Sequence, residues 1–154
     1  WGFRAGFISF ASKGMTETQY TALTTKFMGA IRSSVSCSST PAQSLVLHAM
    51  KDSDHDAQKA ELKKMLKRRY DAVRAFVNSR KSDVLEPLPF NSGYFMSFNV
   101  KTGNAEEIRK ALLKEVGIGI IQIDKNTLRV AFSSIDEDKI ESVYTSIYDV
   151  AEKL

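Results

Sequence analysis

Apolar residues in the last third of the chain recur at two spacings, which predict strands and helices. Tyr94, Met96 and Phe98 alternate with their neighbours, and this period of two predicts a β-strand. Asn104 then has the position and the side chain of a helix cap. The helix that it starts has apolar residues on one face, and Gly117 predicts where it ends.

Two short apolar runs follow at residues 118–123 and 128–132, with a turn predicted near residues 124–126. Because so few residues separate the runs, they predict a β-hairpin. Residues 134–137 have the spacing of a capping box and precede a last helix. The apolar face of that helix consists of Ile140, Val143, Tyr144, Ile147 and Ala151. The order strand, helix, strand, strand, helix predicts a compact α+β domain whose helices cover one face of the sheet.

The part of the chain before residue 54 is organised differently. Residues 7–10 predict a short strand, and a capping box at residues 16–19 predicts a first helix. Thr40 and Pro41 predict the start of a second helix, with Thr40 as its cap. This helix is apolar around most of its circumference, so we expect it to be buried or to lie at an interface. One strand and two apolar helices have no sheet of their own to cover. This imbalance indicates part of a larger domain, although a dimer could also cover these faces.

The longest helical pattern covers residues 54–81 and predicts a helix about 40 Å long. Its apolar stripe consists of Leu62, Met65, Leu66, Tyr70, Val73 and Val77. Its other face is rich in lysine and arginine, which suits either a polyanion-binding stripe or a solvated face. Acidic residues are interspersed and exposed aromatic residues are not, so the solvated face is favoured. Pro87 and Pro89 then predict an extended linker.

Composition narrows the class of protein. With 154 residues, of which 43% are hydrophobic and 26% charged, the chain is long enough for one globular domain with a sizeable core. Its net charge of +4 permits an anionic ligand without requiring nucleic acid. Because this charge is modest, a nucleic-acid partner is not expected. No apolar run has the length of a membrane span, so a membrane partner is not expected either. The single cysteine, Cys37, excludes an internal disulfide framework and fits a reducing compartment, which predicts a cytoplasmic protein.

Two arginines stand in apolar surroundings. Arg4 lies between Gly2 and Gly6, where the backbone can approach a ligand closely and a guanidinium can bind a phosphate or carboxylate. The alternative is an ordinary surface arginine at the entry of a strand. Arg129 lies in the middle of an otherwise apolar strand, where an unpaired charge is costly. We therefore expect either an ion pair, with Asp124 or with an acid on a helix, or an anionic ligand.

The sequence offers little for a metal site or a catalytic nucleophile. His48 and His55 are the only histidines, and they are not spaced as a pair of metal ligands on a helix. Cys37 lies in a serine-rich stretch without an obvious base. No metal ligand is therefore predicted in this chain.

Several short motifs resemble the fold-type I, pyridoxal-phosphate-dependent aminotransferases of class I/II, the aspartate aminotransferase-like enzymes. The Gly-Phe-Arg-Ala-Gly-Phe sequence at residues 2–7 resembles the segment that follows the Schiff-base lysine in this family. Further landmarks come in the family's order. They are the Ser-Thr-Pro sequence at residues 39–41, the long helix, the Gly-Tyr-Phe sequence at residues 93–95 and the Leu-Arg-Val sequence at residues 128–130. The resemblance thus extends over essentially the whole chain.

This resemblance implies roles for both arginines. Arg4 matches the arginine that binds the phosphate of the cofactor, and Arg129 matches the arginine that binds the substrate α-carboxylate bidentately. The position of the Schiff-base lysine falls ahead of Trp1, so no catalytic residue is expected in this chain. Residues 1–53 would be a C-terminal remnant of the large cofactor-binding domain. Residues 54–154 would be the long linking helix and the C-terminal small domain.

The resemblance also implies what the parent protein does. It would be a homodimer that uses pyridoxal 5'-phosphate to transfer an amino group between an amino acid and a 2-oxo acid. The 154-residue chain alone would be inactive. The implied fold class is α+β, an α/β three-layer remnant followed by the small domain. The alternative function is a stand-alone α+β binding module that holds an anionic partner on its basic helix.

Overall fold

The chain divides into two units, Trp1–Ala57 and Gln58–Leu154, and the computed structural model describes residues 2–154. Helices α1 (Glu17–Ser34) and α2 (Thr40–Lys51) belong to the first unit. The predicted capping box starts α1, since the Gln19 N–H donates to the Thr16 hydroxyl and the Thr16 N–H donates to the Gln19 side chain. Helix α2 starts one residue earlier than predicted, because Ser39 rather than Thr40 caps it and accepts from the Ala42 N–H.

The strand predicted in the first unit is wrong. Residues 7–10 form no strand, because no strand lies among the described residues of this unit to pair with them. Phe10 instead stacks on the ring of Phe27, with 5.3 Å between the ring centroids. Helix α2 is not buried within the chain, since Ala42 is its only buried residue. That α2 lies at an interface with another chain stays a prediction.

The second unit contains the sheet. Helix α3 (His55–Ser79) is followed by strands β1 (Leu85–Pro87) and β2 (Met96–Val100), and helix α4 (Ala105–Ala111) follows them. The predicted hairpin is strands β3 (Ile121–Asp124) and β4 (Thr127–Val130), and α5 (Ile140–Ala151) is the last helix. The four strands are antiparallel and lie in the order β1-β2-β4-β3. The predicted α+β fold, with its strand, helix, strand, strand, helix order, is confirmed.

Strand β1 was not predicted, because Pro87 and Pro89 indicated a linker. An edge strand tolerates proline, since one side of it needs no ladder hydrogen bonds. Strand β1 is such an edge, and Pro87 is its last residue, opposite Phe98 of β2. The edge position thus explains why a sequence with two nearby prolines still forms a strand.

One face of the sheet carries the core. Met96, Phe98, Leu128 and Val130 are buried on that face, and they alternate with less buried residues on the other. The core also contains buried residues of α3, α4 and α5: Val73, Val77, Ala105, Ile108, Ile140, Tyr144, Ile147, Tyr148, Val150 and Ala151. Because the helices cover this face, a side chain such as Arg129 points to the opposite one.

The predicted end of α4 is formed, whereas the predicted start of α5 is not. A π-helical turn (Leu112–Val116) extends α4, and Gly117 ends it with a left-handed φ of 69°, as predicted. The capping box predicted at residues 134–137 is not formed. Short 3-10 turns occupy Phe132–Ser134 and Glu137–Lys139 instead, and the carboxylate of Glu137 accepts from Arg68 Nε at 2.9 Å. Because the carboxylate of Glu137 is paired with Arg68 of α3, it does not complete the capping box.

Candidate functional site

Arg129 lies on an inner strand of the sheet. Its neighbours Leu128 and Val130 are buried in the core, so the period of two directs Arg129 to the face that the helices leave open. It lies opposite Ser97 of β2 on one side and opposite Ile121 of β3 on the other. The backbone of Arg129 is thus fixed on both sides by antiparallel pairing.

The guanidinium of Arg129 has no carboxylate partner within residues 2–154. Its Nε is buried and makes no hydrogen bond. The expected pair with Asp124 is not formed, since that carboxylate accepts from the Asn126 N–H at 2.9 Å and from the Thr127 hydroxyl at 3.0 Å. These two donors also lower the pKa of Asp124. The ion pair predicted for Arg129 is therefore not formed within residues 2–154, and an anionic ligand stays a prediction.

The ring of Phe95 lies over this guanidinium, with 4.7 Å from Arg129 Cζ to the ring centroid. This separation is within the range of cation–π interactions. Sequence reasoning missed Phe95 as a candidate site residue. The strand pattern places Phe95, Ser97 and Asn99 on one face, but only the register, in which Ser97 pairs with Arg129, brings Phe95 to the arginine.

The backbone around Phe95 is held in place. Gly93 has a φ of 90°, a conformation that favours glycine, and so allows the turn that leads into β2. The carbonyl of Tyr94 accepts from the Ser133 N–H at 3.2 Å, and the carbonyl of Ser133 accepts from the guanidinium of Arg69. Residues that follow β4 therefore fix the segment that precedes β2.

The chemistry of this site is that of a carboxylate fork. A guanidinium presents parallel N–H donors that match the two oxygens of a carboxylate. The Nε of Arg129 is buried and has no partner, whereas its two Nη atoms are not in this situation. An end-on bidentate contact through the two Nη atoms is therefore the arrangement that Arg129 can offer to an anion.

Arg4 is an exposed residue of the first unit and lies outside helices and strands. Its φ of 55° is in the left-handed region, which is uncommon for a residue other than glycine. No ion pair within residues 2–154 involves its guanidinium. An unpaired, exposed guanidinium beside Gly2 and Gly6 fits a phosphate group, so the residues present are compatible with the predicted cofactor contact.

Several basic residues of α3 are already engaged within the second unit. Lys67 contacts Asp71 at 2.6 Å, and Arg68 contacts Glu137 at 2.9 Å. Arg69, besides its bond to a carbonyl, lies 3.8 Å from Asp136. These pairs favour a solvated face over a polyanion-binding stripe. The alternative of a binding module gains no support from α3.

The described part of the chain offers neither a metal site nor a membrane-spanning helix. Residues 2–154 contain no group of three or more histidine, cysteine, aspartate or glutamate side chains placed to hold a metal ion. None of the helices in that range has the length and apolar character needed to cross a membrane. The one cysteine, Cys37, is exposed and free.

Comparison with known protein families shows the class of this protein. The sequence model of the family described as aminotransferase class I and II matches residues 1–147. The chain belongs to this family, whose members have the fold-type I architecture and use pyridoxal 5'-phosphate. The resemblance drawn from the short motifs is thereby confirmed. The chain matches none of the curated proteins with which it was compared.

Solved structures of aminotransferases share the fold of this chain. The kynurenine aminotransferase of Pyrococcus horikoshii, solved with PMP, superimposes with a TM-score of 0.72 at 18% identity, over 86% of this chain and 35% of that one. The α-aminoadipate aminotransferase of Thermus thermophilus, complexed with N-(5'-phosphopyridoxyl)-L-leucine, gives a TM-score of 0.71 at 14% identity, over 86% and 36%. The multiple substrate aminotransferase of Thermococcus profundus gives 0.71 at 17% identity, over 86% and 35%. The chain thus spans about a third of the length of each of these three structures.

Proposed function

We propose that this chain is the C-terminal part of an enzyme that transfers an amino group between an amino acid and a 2-oxo acid. The single observation that carries the proposal is the guanidinium of Arg129, which lies on the open face of the sheet without a carboxylate partner in residues 2–154. Family membership and the fold support it. A protein that only needed Arg129 for stability would be expected to pair such a charge.

Each arginine has one role in this proposal. Arg129 binds and orients the α-carboxylate that amino acids and 2-oxo acids share, through its two Nη atoms. Arg4 binds the phosphate of pyridoxal phosphate and neutralises its charge. When bound, the cofactor supplies the electron sink for the reaction. Holding the carboxylate at a fixed point is what places the reacting carbon of the substrate.

The proposal extends to the state of the protein. The parent works as a homodimer in the cytoplasm, with no nucleic-acid or membrane partner. The 154-residue chain alone has no turnover, because the lysine position that the family places ahead of Arg4 is not among these residues. Transaminase activity of the purified 154-residue chain would contradict this part of the proposal.

The test of Arg129 uses the full-length parent enzyme. Arg129→Ala is expected to raise the KM for the amino acid about 10- to 100-fold, since a hydrogen-bonded charge contributes about 1.5–3 kcal/mol. Cofactor affinity, measured from the absorbance of the bound cofactor, should stay nearly unchanged. Arg109→Ala is the matched control, because the guanidinium of Arg109 already has Glu106 as its partner at 2.6 Å. A KM that Arg129→Ala leaves unchanged would contradict the role of Arg129.

A further inference from the structure

Phe95 and Arg129 form a stacked pair on the open face of the sheet. Arg129 belongs to β4 and Phe95 directly precedes β2, and the guanidinium carbon lies 4.7 Å from the centroid of the ring. Phe95 is still 46% exposed, so it does not belong to the core. A large aromatic side chain in such a place contributes less to folding than its size allows.

Both partners of the stack are held by the backbone. Antiparallel pairing to Ser97 and Ile121 fixes Arg129. The bond from the Ser133 N–H to the Tyr94 carbonyl fixes the residue before Phe95, and strand β2 begins directly after it. The backbone that carries the ring is therefore fixed, whereas the guanidinium lies at the end of a long and flexible side chain.

Burial restricts the donors that Arg129 can use. Its Nε is buried and unpartnered, whereas its Nη atoms are not buried in this way. An arginine that is free to rotate loses rotamer freedom when it binds a carboxylate, and this loss weakens binding. An arginine that is already held against a ring loses less.

We propose that Phe95 is a positioning residue for Arg129, and that its ring fixes the guanidinium plane so that the two Nη atoms receive the substrate α-carboxylate. This inference rests on the proposed function of Arg129 and adds a residue to it. Phe95 acts through Arg129, so it contributes to the binding of the carboxylate and leaves the cofactor phosphate, assigned to Arg4, unaffected.

The experiment uses the full-length, cofactor-loaded parent and measures carboxylate binding by calorimetry. The probe is whichever of pyruvate, 2-oxoglutarate and phenylpyruvate binds the unmodified enzyme most tightly. Phe95→Leu keeps an apolar side chain without a π face, and it should weaken binding about three- to tenfold. Phe95→Tyr keeps the ring and should bind within about twofold of the unmodified enzyme. Equal affinity for Phe95→Leu and the unmodified enzyme would overturn the inference.

A double-mutant cycle separates positioning from a general structural effect. In an Arg129→Ala background, Phe95→Leu should cause no further loss, because the ring acts only through the guanidinium. The same three- to tenfold loss in that background would overturn the inference while leaving the role of Arg129 intact. If Arg129→Ala itself left binding unchanged, the proposed function would fail, and the inference with it.

A second replacement covers the case in which Phe95→Leu does not fold. Pentafluorophenylalanine at position 95 keeps the shape of the ring but reverses the charge distribution on its face, which opposes a cation. It should weaken binding of the same probe in the same direction as Phe95→Leu. Undiminished binding with a folded, cofactor-loaded enzyme would show that the ring only fills space, and would overturn the inference.

Discussion

At the scale of single residues, charged side chains of the second unit differ in whether the fold supplies their partner. Glu106 on α4 accepts from Arg109 Nε at 2.6 Å and from its Nη2 at 2.8 Å, so both side chains are satisfied. Arg129 has no such carboxylate within residues 2–154. A charge that folding leaves unpaired on a rigid strand is the kind of group that a ligand can complete.

The satisfied pair predicts a pH dependence. The hydrogen bonds from Arg109 lower the pKa of Glu106 to about 2, against an ordinary value of 4.5. Because the folded-state pKa is the lower one, the stabilisation is fully present above about pH 4.5 and is lost as the pH falls towards 2. Carboxyl chemical shifts followed by NMR should show Glu106 titrating near pH 2. In Arg109→Ala its midpoint should move up towards 4.5, and a midpoint that stays low would contradict the assigned cause.

At the scale of elements, the capping of α4 illustrates how directly a local signal forms structure. Asn104 accepts from the Glu106 N–H at 2.9 Å, as the sequence predicted. Asn104→Ala should therefore lower the free energy of unfolding by about 1 kcal/mol, because one amide at the start of α4 loses its acceptor. Urea unfolding curves measure this change. Asn104→Asp keeps an acceptor and is the control, so equal losses in both variants would contradict the capping role.

Local sequence patterns predicted most of the helices and strands of the second unit. The elements that they did not predict depend on residues that are distant in the sequence. The hairpin β3–β4 and the apolar face of α5 follow from spacing alone. The 3-10 turns before α5 do not, because Glu137 pairs with Arg68, 69 residues away in sequence. Residues 7–10 have the composition of a strand, but strand formation requires a neighbour that the described part of the first unit lacks.

The candidate site shows the same division between local and distant information. The apolar residues around Arg129 identified it as a candidate site residue, but no sequence pattern placed Phe95 over its guanidinium. The stack depends on the register in which β2 and β4 pair, and sequence patterns leave register open. The roles of Arg4 and Arg129 stay predictions.

At the scale of the whole molecule, the two units differ in how much they bury. Helix α1 has no buried residue, whereas α5 has six. Large apolar side chains of the first unit, including Phe7 and Ile8, are exposed. We expect the remainder of the proposed large domain to cover these side chains in the parent.

Hydrogen exchange of the 154-residue chain tests this difference. Amides of α1 and α2 should exchange faster than those of β2, β4 and α5, because few buried contacts oppose local opening in the first unit. Mass spectrometry of peptides from both units gives the rates. Protection of α1 as strong as that of α5 would contradict the difference in stability.

The central claim, that this chain is part of a pyridoxal-phosphate-dependent aminotransferase, is tested most directly by reading the coding DNA ahead of Trp1. We expect an open reading frame that encodes a lysine eight positions before Arg4, preceded by a large α/β domain. A stop codon, an unrelated short leader or another residue at that position would contradict the account. Arg4 and Arg129 would then lose the roles proposed for them.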